Sequence, residues 1–103
     1  MKPADDVGSD EGIDALFDVA RSRHAAGDIA GAWEAVARVA ELARADGDVS
    51  ALSDAALVVR RPAGPPLRAS IHALAREALA RTPARDPRRA RLTAQVAATR
   101  DAH

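Results

Sequence analysis

Two hexapeptides, GDIAGA at residues 27–32 and GDVSAL at residues 47–52, carry the same stop-and-start device. In each, a glycine ends one helix, because it enters left-handed backbone without a Cβ penalty. The aspartate that follows caps the next helix by accepting from amides of its first turn. Before the first device, Ile13, Leu16, Phe17 and Ala20, with His24 four further on, follow the i, i+3, i+4, i+7 spacing of one buried helix face. Between the two devices, Ile29, Ala32, Trp33, Val36, Ala40 and Ala43 form a second apolar stripe. After the second, Val49, Leu52, Ala56 and Val59 form a third.

The third helix must end before Pro62, since proline lacks an amide donor and disfavours helix in the residue before it. Residues 58–72, VVRRPAGPPLRASIH, place three prolines and a glycine within five positions, flanked by Arg60, Arg61, Arg68 and His72. A fourth helix follows on Leu67, Ile71, Leu74, Ala75, Ala78 and Leu79, and Thr82-Pro83 closes it. Asp86-Pro87 opens a fifth, with a capping acid followed by proline at the first helical position. Leu92 and Val96 give that helix its apolar seam. No segment alternates at period two, so the expectation is an all-α antiparallel array of five helices with short connections. Residues 1–8 read as a flexible acidic arm, with Ser9 or Asp10 capping the first helix, and residues 9–103 as a single all-helical domain.

Composition limits the core. Of 103 residues, 27 are alanine and only 22 are larger apolar residues, so each buried position removes little area from water. Self-association recovers such a deficit, and a homodimer is expected. The chain has no cysteine, which excludes disulfides and thiolate chemistry, and no apolar run of a signal peptide or membrane span. A cytoplasmic protein is the reading. Fourteen arginines against one lysine resemble the usage of GC-rich bacterial genomes such as those of actinobacteria. Net charge is zero, yet residues 1–59 hold 5 basic and 12 acidic side chains and residues 60–103 hold 10 and 3. Opposite halves of this kind bind nucleic acid, steer an anionic peptide or pair two subunits head to tail, and the competing reading is solvated helix faces.

The helix pair over residues 16–44, with AAGDIAGAWEAV at its turn, resembles a tetratricopeptide-type hairpin, with Gly27 at the turn, Ala32 at the close contact and Val36 and Val39 on the buried face. It lacks the usual aromatic of the first helix and the closing proline of the second. From ELARADGDVSALSDAALVV through ALAREALARTPARDPRRARLTAQVAA, the chain is similar to the helical repeat region of large LuxR-type bacterial regulators. It contains neither their phosphate-binding GxxxxGK[ST] loop nor a helix-turn-helix reading head. In length, helix order and isolation it is also similar to the lysinoalanine-forming proteins of cinnamycin- and duramycin-type lanthipeptide pathways. That resemblance implies binding of a modified peptide and addition of its lysine amine to a dehydroalanine, the substrate carrying part of the acid-base work.

Candidate chemistry follows from what that reaction needs. Arg60, Arg61 and Arg68 around the proline loop offer forked donors for substrate carboxylate or carbonyl oxygens. His72, one turn into the fourth helix, has an intrinsic pKa suited to a proton relay, although a helix-flank role competes with that. Trp33 is either a core residue or a stacking surface for substrate, and His24 either a satisfied core histidine or a charge at a helix C-terminus. His24, His72 and His103 are too scattered for a zinc site, and no metal or cofactor is expected. The run RTPARDPRRAR at residues 81–91 reads as a solvated face before a nucleic-acid contact, since it has no interleaved aromatics. Two functions result: lysinoalanine formation on a peptide held by this protein, or a non-catalytic peptide-binding adaptor on the same repeat.

Overall fold

The computed structural model describes residues 4–60 and 64–100. Five helices follow one another: α1 (Ala4–Ala25), α2 (Ile29–Asp46), α3 (Val49–Ala56), α4 (Pro65–Arg81) and α5 (Arg88–Thr99). The described residues contain no strand. α1 starts at Ala4, earlier than a cap at Ser9 or Asp10, so residues 4–8 of the expected arm are helical. The rest of that arm, residues 1–3, lies outside the described residues.

Both glycine-aspartate devices take the same geometry. Gly27 and Gly47 have φ of 87° and 68°, the left-handed region. The amide of Asp28 donates to Arg23 O at 2.8 Å and that of Asp48 to Ala43 O at 2.8 Å, closing the outgoing helices. The side chains then serve the incoming ones: Asp28 Oδ1 accepts from Gly31 N at 2.9 Å and Asp48 Oδ1 from Ala51 N at 3.0 Å. One aspartate therefore terminates one helix with its backbone and starts the next with its carboxylate. The resulting tight connections fold α1 on α2 and α2 on α3.

α3 also packs on α4 and α5, so this short helix is the hub of the array. Proline at its first position starts α4, with Gly64 as N-cap. α5 starts at Arg88 with Pro87 as its N-cap, one position later than the sequence implies, and Asp86 accepts from Arg88 N at 2.9 Å. The core is built from alanines at 20, 32, 35, 40, 43, 51, 55, 56, 75 and 78 around Phe17, Val36, Val39, Leu52, Ile71 and Leu92. Small side chains let the helices approach closely, and the molecule is only 19 Å across its thinnest direction, about two helix diameters. Ile29, Trp33, Leu67 and Leu79, placed on the inner stripes by periodicity, are half-buried at the margin of this core.

Three buried polar side chains fasten the hub. Ser53 and Thr82 hydroxyls meet at 2.7 Å, and Thr82 Oγ1 donates to Ala78 O at 2.6 Å. A hydroxyl has one proton, so Ser53 is the donor to Thr82. Gln95 of α5 donates to Val59 O at 2.7 Å and Ala56 O at 3.3 Å, satisfying carbonyls at the end of α3. Arg89 does the same for α4, donating to Leu79 O and Thr82 O at 3.0 and 2.8 Å.

Candidate functional site

The last turns of α1, the C-terminal end of α3 with the segment after it, and the first turn of α5 line a cleft of about 440 Å³. α1 contributes Arg21 and His24, α5 contributes Arg91, and the α3 side contributes Asp54 and Arg60, with Leu57 and Val58 as apolar wall. Arg21 is steadied by the Phe17 ring one turn earlier, its guanidinium carbon 5.0 Å from the ring centroid. His24 Nε2 accepts from the backbone amide of Arg60 at 3.5 Å, so the chain leaving α3 is joined to the end of α1. In its neutral form His24 then carries its proton on Nδ1.

Charge in the cleft is unbalanced. Its one carboxylate, Asp54, accepts from Arg88 Nη1 at 3.1 Å. Arg88 also donates to Ser50 O and Oγ at 3.0 and 2.9 Å, and forks onto Asp86 at 3.0 and 2.6 Å. Hydrogen bonds from the Arg88 side chain, then from its backbone amide, hold the Asp86 carboxyl down at about 2. The same partners raise the Arg88 guanidinium above its ordinary value. Arg21 pairs with exposed Asp18 at 3.6 Å and Asp54 shares Arg88 with Asp86, so the arginines at 21, 60 and 91 against one lining carboxylate leave the cleft positive.

A second groove, about 300 Å³, lies between α2 and α4. Trp33 forms one wall, Ala37, Ala40 and Ala73 supply small side chains, and Arg44 and Glu77 close it. Arg44 grips Glu77 with two 2.7 Å hydrogen bonds, which lower the Glu77 carboxyl and raise the guanidinium.

The candidates read from the sequence are distributed over separate places. Arg60 lines the positive cleft and Trp33 the second groove. His72 Nδ1 lies 3.0 Å from Thr99 Oγ1, and that hydroxyl donates to Gln95 O at 2.7 Å. His72 is therefore the donor, clasping α4 to α5 and keeping Nε2 as its basic nitrogen. Arg68 is half-buried one turn before His72 and lines neither concavity. Arg61 and His103 lie outside the described residues.

Sequence reasoning missed Arg21, Asp54 and Arg91 as cleft residues. Arg21 and His24 do share the helix stripe of Phe17, which is the signal available for α1. Nothing in the chain indicates that Arg91, inside a basic run, faces the same space. Among the described residues, no group of three His, Cys, Asp or Glu is arranged to hold a metal ion, and no helix is long and apolar enough to cross a membrane. Compared with known proteins, the chain matches no family model, no curated protein and no solved structure at a significant level.

Proposed function

We propose that this is a peptide-binding helical module that takes an anionic segment of its partner in the cleft between α1, α3 and α5. The observation that carries the reading is the convergence of Arg21 of α1, Arg60 in the segment after α3 and Arg91 of α5 on one open space, around an aspartate already engaged by Arg88. Guanidinium forks suit carboxylates and other planar oxyanions. Stacked helical pairs of the tetratricopeptide kind present extended surfaces of this sort. A fluorescent glutamate-rich peptide is the test. It should bind with an affinity that falls steeply between about 50 and 500 mM salt, and a lysine-rich peptide should bind more weakly. Equal binding of the two peptides contradicts the reading.

Lysinoalanine closure is the catalytic version, and His24 and Asp54, two titratable side chains in the arginine cleft, favour it. There the substrate ammonium loses a proton to a base, its nitrogen bonds to Cβ of dehydroalanine, and Cα takes up a proton. The basic Nε2 of His72 is the other candidate relay. Incubation with a dehydroalanine-containing peptide should remove the thiol-reactive alkene without a mass change, and loss at the uncatalysed rate contradicts catalysis.

The alanine-rich core and the opposed charges of the two halves of the chain support self-association as a homodimer. Light scattering at micromolar concentration tests it, and a monomer mass excludes it.

A further inference from the structure

The positive cleft continues along α1 and α3 into a second concavity of opposite character. This concavity is about 340 Å³, and its residues include Asp14, Asp48 and Asp54, with Ile13, Phe17 and Ala51 supplying apolar side chains. Asp54 lines both spaces, so they adjoin. The helix stripes explain the arrangement. On α1, Asp14, Phe17, Arg21 and His24 recur at three- and four-residue steps and so share one face. On the facing element, Asp48 is the N-cap of α3, and Ala51 and Asp54 follow at three-residue steps. The groove between them runs from Asp14 and Asp48 past Asp54, which both concavities share, to Arg21, Arg60 and Arg91, over Ile13, Phe17 and Ala51, which are buried beneath it. At the acidic end Arg88 is one cation for the two carboxylates of Asp86 and Asp54, and Asp14 and Asp48 add to the negative charge, Asp48 with its Oδ1 also accepting from Ala51 N.

We infer that the partner is an extended peptide with two charges, an anionic group seated on Arg21, Arg60 and Arg91 and a cationic group seated at Asp14 and Asp48. This rests on the peptide-binding reading and adds the ligand's charge pattern. The spacing follows from helix geometry. Asp14 and Arg21 are seven residues apart and Asp14 and His24 ten, which at 1.5 Å per residue is about 10 to 15 Å along α1. Extended chain rises about 3.3 Å per residue, so the two charges stand about three to five residues apart in the ligand.

Three labelled peptides test it by anisotropy on the full chain: two glutamates, a two-residue glycine-serine spacer and two lysines; the same with glutamines for the lysines; and the same with glutamates for the lysines. The lysine peptide should bind about fivefold more tightly than the glutamine one, from two partly exposed ion pairs. Asp14→Lys, at an exposed position, should reverse the order and favour the all-glutamate peptide. If the glutamine and lysine peptides bind alike to both proteins, the charge pattern is wrong while anionic-peptide binding stands. If none of the three binds, the peptide-binding reading falls with it.

Discussion

Ser53 and Thr82, 29 positions apart in the chain, share a 2.7 Å hydrogen bond in the interior where α3 meets the end of α4. Both side chains are shielded from water, at 0% and 3% exposure, and the bond continues into Ala78 O, so a polar relay sits inside an alanine-rich core. Burying hydroxyls is tolerable only when they are paired.

Thr82→Val removes both halves of this relay and strands the Ser53 hydroxyl. It should lower stability by about 1–3 kcal/mol in urea unfolding. Adding Ser53→Ala to that variant should cost less than Ser53→Ala alone in the parent, because the stranded donor is removed. Additive losses would show that the two hydroxyls are not coupled.

Gly27 and Gly47 carry the helix reversals at φ of 87° and 68°. An alanine at either position meets a left-handed backbone that an L side chain disfavours, at a cost of about 1 kcal/mol. The melting temperature should fall by about 4–8 °C per substitution in a domain of this size. An unchanged midpoint in both would mean that the reversals are not made by left-handed residues.

Asp86 is held at about 2 by its hydrogen bonds to Arg88, below the ordinary 3.8 of an unfolded aspartate. A depressed carboxyl contributes stability above its unfolded pKa and loses it as pH falls through its folded pKa. Asp86→Asn should therefore flatten the fall in melting temperature between pH 4 and pH 2. Glu77, lowered by Arg44, keeps part of the acid sensitivity in that variant. Parallel curves for parent and variant would exclude the Asp86–Arg88 pair as a source of acid lability.

His72 donates to Thr99 across α4 and α5. Its replacement by alanine should cost about 1 kcal/mol of stability. Binding of an acidic peptide should be unaffected, since His72 is not among the cleft residues. A loss of affinity at equal foldedness would move the site towards α4.

Helix order was legible because its determinants are local. Asp28 and Asp48 act within five residues of themselves, and the stripes of Phe17, Val36, Leu52 and Ile71 need only a helical period. The start of α1 at Ala4 carries no such signal, since acidic residues 5 and 6 read equally well as an arm or as a first helical turn. The cleft was legible only at Arg60. Which helices become neighbours decides whether Arg21 and Arg91 meet it, and single-helix periodicity does not contain that. The clasp of His72 by Thr99, 27 positions away, was hidden for the same reason.

The central claim is that the arginine cleft binds an anionic peptide, and the most direct measurement is titration of a labelled glutamate-rich peptide against the parent and an Arg21→Ala, Arg91→Ala double variant. Both arginines are exposed, so the fold should be kept, which circular dichroism checks. The account predicts a loss of about tenfold in affinity and a weaker salt dependence in the double variant. Unchanged affinity in a folded double variant would contradict it.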